Sequence, residues 1–288
     1  IADHNEFGWR GFTDRFEFAY IRELIGVDTT HNILTLDAPI RYSQLLREYP
    51  RVYRMSNPIQ EVGLEAFSIG NKQHDGEGWE QSDYRTSGTS AYDVHGSYLI
   101  EFRRSRHCWM QQIHSYQPSE NSLSMHMLSN GIYLSESSNL TLKNVSMQRV
   151  QYAGGGGNGY SYRIQESMEC LLQDCVAGYN RHGFVFSHTG TSGNVIHRSL
   201  DMETRWSASG SAGAQSSDHH MHFSHSNLVD SSTADNSYFS AAYRPNGSEP
   251  EHNLTAAHSV FWNMNGMGSR YDKVVRTQQG RYGYAIGT

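Results

Sequence analysis

The stretch GIYLSESSNLTLKNV, from Gly131 to Val145, lies without a gap over SYRIQESMECLLQDC, from Ser161 to Cys175. Each of the two holds a pair of short β-like runs separated by a polar turn. Working outward, Leu99–Arg104, Gly183–His188 and His220–His225 fit the first run of this frame, and Cys108–Ile113 and Asn194–Ser199 fit the second. Two short strands per unit, with a spacing of roughly 20 to 40 residues, describe a repeat in which each unit buries its inner face only against its neighbours. The expected fold is all-β: a right-handed parallel β-helix, or solenoid, with protruding loops.

Alternation then assigns faces. Ile100 and Phe102, Ile132 and Leu134, Tyr162 and Ile164, Phe184 and Phe186, and Met221 and Phe223 are predicted to point inward. On the second run Met110, Leu142, Leu172 and Ile196 form one inner column. Cys108, Leu140, Cys170 and Asn194 form another, in which Asn194 needs hydrogen-bond partners from the turn backbone. One elongated domain is expected, irregular over residues 1–92, regular over 93–230 and closing over 231–288. Asn32–Leu36 and Val62–Ile69 read as strands of earlier coils, Leu254–Trp262 and Tyr282–Ile286 as later ones. Arg41–Glu48 reads as a short helix. Gly70–Tyr92, Ala153–Gly159, Trp206–Ser217 and Arg244–Glu251 read as loops that leave the coil.

Apolar residues make up 37% of the 288 residues, and the mean hydropathy of -0.65 describes a very polar exterior. No run reaches the roughly 18 apolar residues that span a bilayer, so no membrane insertion is expected. A net charge of -6 gives no reason to expect nucleic acid. Cys108, Cys170 and Cys175 are too few and too scattered for a disulfide framework, and Cys108 and Cys170 read as core. The chain begins at Ile1 without an initiator Met or a leader, which reads as a mature product or an excised piece. Triplets such as Asn139-Leu140-Thr141 and Asn246-Gly247-Ser248 add weak support for secretion. Unpaired strand edges at either end leave oligomerisation open.

With Gly156-Gly157-Asn158-Gly159-Tyr160 and Arg181-His182-Gly183-Phe184, the pattern resembles the pectate-lyase-like superfamily of carbohydrate-active β-helix proteins. The resemblance covers about two thirds of the chain and is specific for fold rather than reaction. It implies an extracellular protein whose partner is a polysaccharide. A calcium-and-arginine pectate lyase signature is not found, so no catalytic residue carries over.

Stacked strands lie about 4.8 Å apart, so equivalent positions on successive coils become close neighbours. One outward ladder runs Glu101, Tyr133, Arg163, Val185, His222; another runs Arg104, Glu136, Glu166, His188, His225. Just before the first run the frame stacks Tyr160, His182 and His219, with Arg181 over Asp218. The chain has 16 histidines, and those between Arg181 and His225 are dense enough to perturb one another's protonation. β-Elimination on a uronate glycan needs a group that neutralises the carboxylate, a base and an acid. Arg163 is the candidate neutraliser, helped by Arg181; His182, His219 or His222 the base; Tyr133 or Tyr160 the acid. Glu101, His220 and Trp206 are candidate substrate contacts.

Hydrolysis, the second reading, needs paired carboxyls, for which Glu136 and Glu166 are the candidates. A non-catalytic carbohydrate-binding module or adhesin is the third. No cofactor, or a divalent cation such as calcium, is expected, with Glu166, His188 and His225 as the optional ligand set. The run Gly154–Gly157 lacks the Lys-Ser/Thr ending of a phosphate loop.

Overall fold

The computed structural model describes residues 19–42, 50–210, 212–213, 216–244, 252, 254–280 and 282–287. The chain is all-β, built from long parallel sheets, and the repeat units supply strands to the same sheets in the same order. Seven strands form one wall: β1 (Tyr98–Arg103), β2 (Asn130–Ser135), β3 (Tyr160–Gln165), β4 (His182–Ser187), β5 (Ser217–Met221), β6 (Phe239–Ala241) and β7 (Val275–Thr277). A curled sheet of 12 strands, from Gly63–Ile69 to Tyr284–Ile286, forms the second wall. At the turn between the walls, single parallel bridges link successive units, Arg106 to Ser138, Ser138 to Met168, Met168 to Ser192 and Ser192 to His225.

The predicted register holds from β1 to β4. Ile100 pairs with Ile132, Tyr162 with Ile132 and Phe184, and Arg163 with Tyr133 and Val185. On the second wall Met110, Leu142, Leu172 and Ile196 follow one another as expected, and Val229 and Phe261 continue the column. These side chains belong to one continuous apolar cluster. Cys108, Cys170 and Cys175 are buried free thiols. Asn194 finds its partners: Nδ2 donates to Ser167 O and to Asn227 Oδ1, each at 3.0 Å, and Oδ1 accepts from Cys170 N at 3.0 Å.

Bends between strands use left-handed backbone at non-glycine residues. Arg104, Glu136, Glu166 and His188, the second outward ladder, are such bend residues, with φ between 47° and 75°. The fifth unit departs from expectation at the same bend. Val185 pairs with Asp218, Phe186 with His219 and Ser187 with Met221, with a register shift after Phe186. Two successive residues, His222 and Phe223, adopt left-handed φ there, where the earlier units use one. His219 therefore takes the inner position foreseen for an apolar side chain. Met221 is half-buried, and Phe223 lies in a separate cluster with Ala257, Tyr20 and Tyr42.

Ile33–Leu36 is also a correction: it pairs antiparallel with Leu24–Asp28 as a hairpin, not as an early turn of the repeat. Leu24, Ile25, Val27, Ile33 and Leu34 are exposed, because among the described residues no neighbouring unit covers them. Gly63–Ile69, by contrast, does pair in parallel with Trp109–Ser115. The expected helix at 41–48 and loop at 244–251 lie largely outside the described residues, as do parts of the loop at 206–217. Among the described residues no helix is long and apolar enough to cross a membrane.

Candidate functional site

The outward face of the seven-stranded wall gathers two linked groups. In the first, the Tyr98 and Tyr133 rings stack at 4.7 Å, and the Arg163 guanidinium lies 5.2 Å from the Tyr133 ring and 5.8 Å from the Tyr160 ring. Arg163 NH1 donates to Tyr98 Oη at 3.0 Å, while its buried Nε has no hydrogen-bond partner among the described residues. The sequence places Tyr133 and Arg163 on adjacent outward positions, and β2 and β3 bring them together. Tyr98 was not foreseen, since it precedes the first strand of the frame by one residue. The loop 153–159 closes over this group. Asn158 anchors it, accepting from Ser129 Oγ at 2.8 Å and Gly96 N at 3.1 Å, and Gly156, at φ 72°, lies under the Tyr84 ring.

In the second group Asp218 sits among three nitrogen donors. His182 Nδ1 is 3.3 Å from Oδ1, His220 Nδ1 is 3.1 Å from Oδ2, and Arg244 NH2 binds Oδ2. His182 Nδ1 also meets the Ser216 carbonyl at 2.7 Å, and Tyr160 Oη lies 3.3 Å from His220 Nε2. Burial works against the Asp218 charge, but the imidazole and guanidinium partners override it and hold the carboxyl well below the usual range. Burial lowers His182 and carries His220 down to about 3, against the opposing pull of the Asp218 carboxylate. Arg244 is the missed member, because its polar loop carries no strand pattern.

No family model, curated protein or solved structure matches this chain.

The remaining candidates divide. His188 and His222 meet with ring centroids 4.3 Å apart, since the shifted fifth strand puts His222 at the bend rather than over Val185. Burial lowers His188 to about 4 and His222 to about 2, with the Arg163 charge adding to both. His219 is in the core, between Phe186 and Phe261 at 4.8 and 5.8 Å, rather than beside His182. Its place in the Tyr160–His182 group is taken by His220, with rings 4.9 Å from His182. Arg181 turns to the Gly154 carbonyl at 2.7 Å instead of stacking over Asp218. Trp206 packs on Tyr179 at 5.7 Å, and Glu101 pairs with Arg103 at 2.8 Å.

Glu166, half-buried at its bend, has its carboxyl raised by burial. His225 packs against Tyr42 at 4.8 Å and Tyr20 at 6.0 Å. The set Glu166, His188 and His225 is therefore not assembled. Among the described residues the group whose donor atoms converge is His182, Asp218 and His220.

Proposed function

We propose that this chain is a secreted right-handed parallel β-helix of the pectate-lyase-like kind that cleaves a uronate-containing polysaccharide by β-elimination. The observation that carries the reading is the charge state around Arg163. Among the described residues it makes no ion pair with a carboxylate: Glu101 is engaged by Arg103 and Glu136 by Arg104, Glu166 acts on it only at longer range, and its ring contacts are with Tyr133 and Tyr160. A largely desolvated guanidinium with an unused N–H suits a planar carboxylate, which it can hold through two hydrogen bonds.

On this reading Arg163 neutralises the uronate carboxylate and so acidifies the adjacent C–H. His222 accepts that proton, the uronate carboxylate beside it favouring the protonated ring against the burial that lowers it in the free chain. The electron pair forms the new double bond as the bond to the glycosidic oxygen breaks, and the Tyr133 hydroxyl protonates the departing oxygen. Tyr133 keeps 8% of its surface exposed and His222 5%, whereas His182 keeps none and His219 only 1%. That difference in access selects His222 as base.

The test is a panel of acidic and neutral polysaccharides, followed at once by the absorbance of unsaturated uronates and by reducing ends. Both signals rise together for a lyase; ends alone mean hydrolysis, and binding without either means a module. Arg163→Ala is expected to lower kcat about 10²- to 10³-fold, as for loss of a group that stabilises developing charge. His222→Ala is expected to cost about 10²- to 10⁴-fold. Full activity in both variants would refute this site.

A further inference from the structure

We propose that His182, Asp218 and His220 form a binding site for a first-row divalent transition metal, with zinc as the reference ion. The proposal stands apart from the polysaccharide reading, since none of the steps above uses these three residues.

Two imidazoles and one carboxylate are a donor set suited to such an ion. They come from two adjacent strands, β4 and β5, and offer one donor atom each within 4.8 Å of the others. The separations of 3.3 Å and 3.1 Å between Asp218 oxygens and imidazole Nδ1 atoms are already close to closure. With bonds of about 2.0 to 2.2 Å, a tetrahedral ion holds its ligand atoms about 3.3 to 3.6 Å apart.

A second observation points inward to the same place. Asp218 Oδ1 is buried and makes no hydrogen bond, although it faces His182 Nδ1; Arg244 and His220 use Oδ2 instead. A buried carboxylate oxygen left without a hydrogen bond is costly, and a cation beside it removes the cost. His182 Nε2 is likewise buried and unbonded. When Nδ1 takes the ion, the ring proton moves to Nε2, where no other group competes for it.

The surroundings suit His220 as a ligand. Tyr160 Oη, 3.3 Å from His220 Nε2, can accept the N–H that His220 presents once Nδ1 is ligated, the arrangement that orients metal-bound imidazoles. The Ser216 carbonyl, 2.7 Å from His182 Nδ1, supplies a further oxygen at the edge of the site. Arg244 opposes the ion, because its charge competes for the same carboxylate. Removing it should therefore tighten binding.

The experiment uses the full chain stripped with a chelator, titrated with zinc by calorimetry and with cobalt by visible absorption. One ion per chain is expected, cobalt giving the bands of a four-coordinate site. A zinc-loaded crystal should show its anomalous-difference peak between His182, Asp218 and His220. Tyr160→Phe should weaken binding by about 10- to 100-fold, as for a group that orients a ligand, and His220→Ala by more than that. Arg244→Met should bind zinc more tightly than the parent chain. The proposal fails if the parent chain gives neither heat with zinc nor bands with cobalt, or if the anomalous peak lies elsewhere. The peak decides even where His220→Ala does not fold.

Discussion

Strands β3 and β4 meet in unbroken register, Tyr162 beside Phe184 and Ile164 beside Phe186, whereas β4 and β5 set His219 beside Phe186 and then shift, so that Met221 lies beside Ser187. In the first pair the inner side chains are apolar and the outer ones polar, so a slip by one residue would expose the whole apolar set. In β5 the run Ser217, Asp218, His219, His220 offers donors and acceptors on both faces. Register there is set by polar pairing, with Asp218 bound by His220 and Arg244 and facing His182. One wall thus contains a region specified by apolar packing and a neighbouring region specified by polar pairing.

The sharpest way to break this contrast is Phe184→Ala. Phe184 is 1% exposed and stacks on Tyr162 at 4.8 Å and toward Phe239 at 6.3 Å. Truncation of a fully buried Phe is expected to cost about 3 to 5 kcal/mol. Urea unfolding should show a lower midpoint with an unchanged slope. His219→Ala, one level away, should cost clearly less, because the ring it removes contributes less apolar surface. Equal losses would mean that the two regions are held in the same way.

The same contrast explains which parts were legible in the sequence. The units from Leu99 to Ser199 could be aligned because Ile, Leu, Phe and Tyr alternate with polar residues, and the inner columns and the satisfied Asn194 followed from that. The fifth strand could not be placed. Met221 and Phe223 mimic the apolar alternation of the other units, but they sit at a bend that uses two left-handed residues instead of one. The His–Asp group was seen as a histidine density and mispaired by the same slip, so His219 was credited with a place that His220 occupies. Tyr133 and Arg163 were found because they lie inside the regular register. Tyr98 and Arg244 were missed because one borders the aligned frame and the other lies in a polar loop. The hairpin at Leu24–Leu36 carries strand-like alternation, yet alternation does not report whether a strand pairs in parallel or antiparallel.

Acid sharpens the comparison further. Burial lowers His188 and His219 to about 4, and His220 and His225 to about 3, against about 6.5 in the unfolded chain. Below pH 6.5 the unfolded chain takes up these protons and the folded chain does not. The stabilisation they represent is complete above pH 6.5 and lost as pH falls toward 4. Each contributes a slope of at most about 1.4 kcal/mol per pH unit in that window. Asp201 and Glu166 oppose them: burial raises both carboxyls, Asp201 to about 6, so Asp201 favours the folded state as pH falls from 6 toward 3.8, but the lowered histidines outnumber the two. Stability measured from neutral pH to about pH 4 should fall, and His219→Phe should flatten the curve while Phe184→Leu leaves its shape unchanged. A flat profile in the parent chain would mean that the histidine region is not desolvated.

The smallest effect is expected where neither kind of specification operates. Arg104 and Glu136 occupy equivalent bends of successive units and pair at 2.9 Å, with side chains 63% and 35% exposed. Their position in an outward ladder of ionisable residues made them look functional. Solvent screens such a pair, and ordering two long side chains offsets most of the attraction. A double-mutant cycle with Arg104→Ala and Glu136→Ala should give a coupling of about 0 to 1 kcal/mol that shrinks with added salt. On the proposed reading, turnover of the polysaccharide panel by either variant should match that of the parent chain. A coupling well above this range, or a loss of activity, would place the bend with the Arg163 and Asp218 groups as part of the working face, and the division between scaffold and site would have to move by one column.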